Sequence, residues 1–188
     1  QDQIEMSWDQ VNYPEELEHY ATLRDGTEIF FRPIKPVDEP ALSEMLYSLS
    51  EESVRTRYMT RTTAFPHKDV QQLTNIDYKG DIAIVGIVPG IGGDDIVAIA
   101  QYYLDPKTLA AEVAFLVQDE WQQKGMGTFL LDYITQVAKQ RGVKRFYAKV
   151  LPDNRPMLAV FQNSGYKVNV EFDGDVYNVS YDLTKEST

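Results

Sequence analysis

The stretch of this sequence with the clearest chemical content is Gln122-Gln123-Lys124-Gly125-Met126-Gly127-Thr128, which follows a β-leaning run and a short polar turn and opens a segment of helical periodicity. Glycines at such a junction let the backbone come close to a ligand. The free N–H groups of a helix's first turn, together with the helix dipole, then form an anion site suited to a phosphate or pyrophosphate. The spacing Gln-x-x-Gly-x-Gly is not that of a P-loop, which needs Gly-x-x-x-x-Gly-Lys-Ser/Thr. It also lacks the third glycine and the following acid of a dinucleotide fingerprint. Two glycines after a strand also serve simply to ease a turn, so the hexapeptide alone leaves both readings open.

Charge favours the first reading. From Gln122 to Lys149 the basic residues Lys124, Lys139, Arg141, Lys144, Arg145 and Lys149 are opposed by Asp132 alone, a balance of +5 in a chain of formal charge −11, leaving −16 elsewhere. A local positive field around a helix N-terminus suits a polyanion of limited size, whereas the overall acidity repels long nucleic acids and anionic membranes. A solvated helix face carries similar clusters, so the charge supports the anion site without deciding it. The 188 residues contain no cysteine, which excludes disulfides, thiolate zinc sites, iron–sulfur clusters and an acyl-cysteine step, and makes a cytoplasmic location the default expectation. His19 and His67 lie far apart in sequence, and no metal site is expected. The length predicts one domain, and the 12 Tyr, 8 Phe and 2 Trp give it a globular composition. There is neither an apolar run of about 18 residues nor a signal peptide. The first residue is Gln1 rather than Met, which points to a processed product or a piece of a longer polypeptide.

These residues need a scaffold, and the periodicities supply one. Residues 1–19 read as an acidic linker or an arm laid over the surface, and 20–188 as the domain. Tyr20–Arg24 and Thr27–Ile34 flank Asp25-Gly26, the dipeptide of a two-residue hairpin turn. Asp38 is placed to cap a helix over about 38–49, a further helical segment runs from Ser50 to about Tyr58, and another spans Lys68–Leu73. Ile82–Val88, Ile96–Leu104 and Glu112–Val117 form an antiparallel meander with short turns. A helix over Gly127–Arg141 ends at Gly142, a strand covers Phe146–Leu151, a helix Arg155–Asn163, and a last hairpin joins Tyr166–Phe172 to Val176–Leu183 through Asp173-Gly174. The order is that of an α+β, or mixed α/β, single domain.

Taken together, the motifs resemble the GNAT-type N-acetyltransferases over about 20–184. Gln122-Gln123-Lys124-Gly125-Met126-Gly127 is similar to the family's Q/R-x-x-G-x-G/A acyl-CoA pyrophosphate loop, and Asn154-Arg155-Pro156-Met157, Phe161 and Gly165-Tyr166 to the pattern on its next helix. Within the family, Tyr13-Pro14-Glu15-Glu16-Leu17, Leu23-Arg24-Asp25-Gly26, Arg32-Pro33-Ile34 and Leu49-Ser50-Glu51-Glu52-Ser53 with Arg57-Tyr58 resemble the acetyltransferase domain of Pat-type protein lysine acetyltransferases, commonly fused to a longer chain.

The resemblance implies a mostly antiparallel twisted sheet, flanked by helices and splayed between the family's fourth and fifth strands, here Glu112–Val117 and Phe146–Leu151. It implies acetyl-CoA as co-substrate, with the pantetheine arm bonding the backbone of Phe115, Leu116 and Val117, the pyrophosphate on Gln122, Gln123, Lys124, Gly125, Met126, Gly127 and Thr128, and Asn154 orienting the pantetheine or thioester end. A lysine amine has a pKa of about 10.4, so a base or water relay must take a proton near neutrality. Glu112 corresponds to the family's glutamate for that role, and the Phe115 N–H is a candidate oxyanion donor. With no cysteine, attack is direct within a ternary complex.

Phe161 stands where many relatives have a tyrosine acid, which leaves open whether the thiolate departs unprotonated or takes a proton from water or a hydroxyl such as Ser164 or Tyr166. Tyr102-Tyr103 read as packing, with one ring a candidate border of the amine pocket. Asp119-Glu120 read as capping the helix entry, and Glu51, Glu52 and Arg55 as candidates for reading an acceptor protein. Acetylation of a protein lysine, acetylation of a small amine and non-catalytic acyl-CoA sensing are the three functions that fit.

Overall fold

A computed structural model describes residues 13–50, 67–122 and 124–184. Strict alternation of exposed and buried residues builds the strand Arg145–Val150, where Phe146, Ala148 and Val150 are buried and the residues between them exposed. In the centre the alternation disappears. Every residue from Ile96 to Tyr102 is buried, as it must be in a strand covered on both faces. The eight strands β1 (His19–Thr22), β2 (Glu28–Pro33), β3 (Ile82–Gly90), β4 (Gly93–Leu104), β5 (Ala110–Val117), β6 (Arg145–Val150), β7 (Asn169–Phe172) and β8 (Tyr177–Asp182) form one sheet of order β1-β2-β3-β4-β5-β6-β8-β7. Neighbours run antiparallel except β5 and β6, which are parallel and therefore need a crossover.

Four helices flank the sheet among the described residues: α1 (Glu39–Tyr47), α2 (His67–Thr74), α3 (Met126–Gln140) and α4 (Arg155–Gln162). The crossover is α3, which packs on β4 and β5 and buries Leu130, Leu131, Ile134, Val137 and Ala138. It ends as expected at Gly142, whose φ of +83° lets the Val143 N–H reach back to the Ala138 carbonyl at 3.0 Å. The α+β architecture, the meander and the order of elements match the sequence reading. The described part of the leader is an arm fastened to the domain, with Leu17 buried and its carbonyl accepting from the Tyr133 hydroxyl on α3.

Three local expectations are corrected. The β1–β2 connection is wider than a two-residue turn. Only Gly26 is left-handed (φ +87°), the Leu23 N–H bonds the Thr27 carbonyl at 2.8 Å, and Asp25 accepts from the Thr27 N–H instead of adopting positive φ. Asp38 stands at the start of α1, but its carboxylate does not cap that helix. It is taken by both guanidinium nitrogens of Arg32, at 2.8 and 2.7 Å, and by the Lys35 N–H at 2.7 Å. Asp119 and Glu120 sit in a separate 3-10 turn, Asp119–Trp121, where Asp119 accepts from the Ser50 N–H at 3.3 Å; α3 has no side-chain cap. The helical segment expected from Ser50 to Tyr58 lies almost wholly outside the described residues.

Candidate functional site

The site begins where β5 and β6 part. Their parallel pairing joins Ala110, Ala111 and Glu112 to Arg145, Phe146 and Tyr147, and stops there, while β6 stays paired to β8 as far as Val150. Past that rung the two strands flank a small cleft open to solvent, lined by Val113, Ala114 and Phe115 on one side and Ala148, Lys149 and Val150 on the other. The splay falls where the resemblance put it.

The phase of β5 determines what its backbone offers to that cleft. The Asp105 N–H bonds the Ala110 carbonyl, and the Gln118 N–H bonds the Val97 carbonyl, both at 2.8 Å. With unbroken register between them, even-numbered residues of β5 turn their peptide groups to β4. Odd-numbered residues turn theirs to the β6 side, as the Lys144 N–H to Leu109 carbonyl bond at 2.8 Å shows. Phe115 and Val117 therefore direct peptide groups into the gap, as a strand edge awaiting a partner does. Leu116, expected to contribute its backbone as well, faces Ile99 of β4 instead and supplies a 5% exposed side chain. The Val117 carbonyl is engaged by the side-chain amide of Gln122 at 2.9 Å, which folds the following loop back onto the strand end.

Glu112 is half-buried in the last parallel rung, opposite Tyr147 on β6 and Tyr103 on β4. The two tyrosines are 39% and 37% exposed, so the carboxylate borders an accessible surface and not an enclosed chamber. Burial raises the pKa of the Tyr147 hydroxyl, and the negative charge of Glu112 and Asp105 adds to it. Tyr103 donates its hydroxyl to Gln101 Oε1 at 3.0 Å, while Tyr102 packs inward against Phe146 with a buried hydroxyl that finds no partner.

Beyond the end of β5 and the Asp119–Trp121 turn, α3 starts at Gly125, left-handed at φ +82°, with Met126 buried, Gly127 half-buried and Thr128 exposed. Lys124 is ion-paired to Asp25 of the β1–β2 turn at 3.2 Å and lies 5.2 Å from the Trp121 ring centre. Gln123 lies outside the described residues, as do Glu51, Glu52 and Arg55.

The far wall comes from α4. Asn154 caps that helix by accepting from the Met157 N–H at 3.4 Å, and it lines the cleft together with Met157 and Phe161. Phe161 is 2% exposed and packs between Phe115 and Tyr181, with ring centres 6.3 and 6.2 Å away. Neither Ser164 nor Tyr166 is among the lining residues: the Ser164 hydroxyl accepts from the Tyr166 N–H, and the Tyr166 hydroxyl is buried without a partner. His19 stacks on Phe129 and Tyr133 of α3, and His67 opens α2. Sequence reasoning missed Val113, Ala114, Ala148, Lys149, Val150 and Met157 as lining residues. For Ala148, Lys149 and Val150 the signal was the exposed-buried alternation after the crossover helix, which marks a strand but does not say that one of its edges is free.

Among the described residues no group of three or more His, Cys, Asp or Glu side chains is arranged to hold a metal, and no helix is long and apolar enough to cross a membrane. The family model described as Acetyltransferase (GNAT) family matches residues 46–166. The GNAT domain of PAT from S. lividans superposes with a TM-score of 0.81 at 33% identity, over 91% of this chain and 99% of that one. Acetyltransferase Pat of Mycolicibacterium smegmatis is 28% identical over 145 residues, 76% of this chain but 42% of the relative, so the chain spans less than half of that protein's length. Spermidine N-acetyltransferase of Vibrio cholerae, solved with CoA and spermine, shares the fold at a TM-score of 0.64 and 14% identity, over 84% of this chain and 96% of that one. With the family model covering most of the domain and the splayed sheet beneath it, the chain belongs to the GNAT family of acetyltransferases.

Proposed function

We propose that this domain transfers the acetyl group of acetyl-CoA directly to a lysine amine of a protein, with Glu112 as general base, acting on the amine itself or through a water. The observation that carries the proposal is the parting of β5 from β6 immediately past Glu112, with the glycine-bearing start of α3 at the opposite end of the same strand. A strand rises about 3.3 Å per residue, so Val117 and Glu112 are roughly 17 Å apart. An extended arm anchored by its diphosphate at Gly125–Thr128 and bonded to the peptide groups of Phe115 and Val117 would bring its thioester end towards the closed end of the cleft, beside the carboxylate.

Each residue then has a defined task. The Glu112 carboxylate takes the ammonium proton, which leaves a nucleophilic lone pair. The Phe115 N–H, directed into the gap, stabilises the oxygen on which charge develops. Asn154 spends its carbonyl on the α4 cap and offers its NH₂ to the arm. A carbon–nitrogen bond forms as the carbon–sulfur bond breaks. Among the described residues no hydroxyl side chain lines the cleft, and in this reading the sulfur leaves as thiolate or takes its proton from water.

A large acceptor is supported by the accessible rings of Tyr103 and Tyr147 on either side of the base, and by the −16 charge outside the basic stretch, which attracts a lysine-rich surface. The test is turnover with acetyl-CoA against a panel of proteins and of small amines. Acetyl-lysine on protein supports the reading. Turnover on small amines alone would replace the acceptor, and binding with no turnover on any acceptor would make the domain an acyl-CoA sensor.

A further inference from the structure

The cation best placed over the start of α3 comes from the other end of the chain. A β-carbon built on Gly125 would lie 3.2 Å from Nε, 3.5 Å from Cζ and 3.6 Å from Nη2 of Arg24, so the guanidinium rests directly on the glycine backbone. Its turn is held in place. Leu23 is buried, its N–H bonds the Thr27 carbonyl, and Asp25 is fastened to the Thr27 N–H at 3.0 Å and to Lys124 at 3.2 Å. The Asp25–Lys124 ion pair answers the charge of the loop lysine. Arg24, exposed, has no hydrogen bond or ion pair among the described residues. An unpaired guanidinium fixed against a left-handed glycine at a helix start adds a planar two-pronged donor to the peptide N–H groups already there, the arrangement that a diphosphate accepts.

We propose that Arg24 is a phosphate-binding residue of the acyl-CoA site, contacting the diphosphate, and that the Asp25–Lys124 pair is the clamp that presents it. This inference rests on the acyl-CoA reading above, and concerns binding rather than catalysis. It also gives Gly125 a second reason to be glycine, since any side chain there would press on the guanidinium.

The test is calorimetric titration of the domain with CoA and with 3′-dephospho-CoA, comparing wild type, Arg24→Ala and Arg24→Lys, with the ligand-free melting temperature of each. Arg24→Ala is expected to weaken both ligands by about tenfold, with a shallower salt dependence, an unchanged melting temperature and partial recovery in Arg24→Lys. Unchanged affinity in Arg24→Ala would overturn the proposal. So would a loss seen with CoA that vanishes with 3′-dephospho-CoA, which would place the side chain on the 3′-phosphate. A fall in melting temperature in step with affinity would make Arg24 a packing residue and overturn it too. A wild-type domain that binds neither ligand would instead remove the acyl-CoA reading itself.

Discussion

Glu112 and Tyr147 face each other across the last rung that joins β5 to β6, and one residue further along the strands have separated. That adjacency sets a carboxylate one residue before the gap opens, while Gly125 begins the helix that follows the other end of the same strand. The chemistry proposed at one end of the strand and the anion binding proposed at the other are separable in experiments.

Ligand binding comes first. CoA at about 100 times its Kd should stabilise the fold by roughly 2.7 kcal/mol, read as an upward shift of the melting temperature. Absence of any shift at saturating CoA would remove the common premise of every reading given above.

The Arg32–Asp38 pair makes a second, structural prediction. Burial lowers the pKa of Arg32, but the two hydrogen bonds and the charge of Asp38 outweigh it, and the guanidinium is held further above its usual value. With side-chain exposures of 13% and 8%, removal of one partner strands the other's charge. Asp38→Ala is expected to cost about 3 kcal/mol in denaturant unfolding. A cost below about 0.5 kcal/mol would show the pair to be worth no more than an exposed one.

The Asp25 turn should be visible in acid. Hydrogen bonds from the Thr27 backbone N–H and side chain, and then from Lys124, lower its carboxyl from 3.8 to about 2. Because the folded pKa is the lower one, its stabilisation is complete above the unfolded pKa and is lost as pH falls through the folded one. The stability difference between wild type and Asp25→Asn should therefore be constant at neutral pH and shrink between about pH 4 and pH 2. A difference that persists unchanged at pH 2 would contradict the assignment.

Much of this site was legible in the sequence, for physical reasons that particular residues illustrate. Gly125 and Gly142 announce themselves as glycines at helix ends: Gly142 has the left-handed φ that a helix C-terminus calls for, and Gly125 at the start of α3 is left-handed as well. The meander and the crossover follow from periodicity and connection length. What the sequence hid depends on partners distant in the chain. Asp38 looks like a cap until Arg32 on β2 is seen to take both its oxygens. Leu116 looks equivalent to Phe115 until the register with β4 fixes which peptide groups are spent. Arg24 stands in a stretch that carries the resemblance, but nothing local marks it as a ligand residue, because its significance is the contact with Gly125 across the fold.

Whether Glu112 supplies the base for acetyl transfer is read from the pH dependence of single-turnover acetylation in wild type and Glu112→Gln. With CoA affinity unchanged, the variant should be slower by about a hundredfold or more at neutral pH and should lose the limb of the profile that reports the base. Wild-type rates and an unaltered profile in Glu112→Gln would contradict the account.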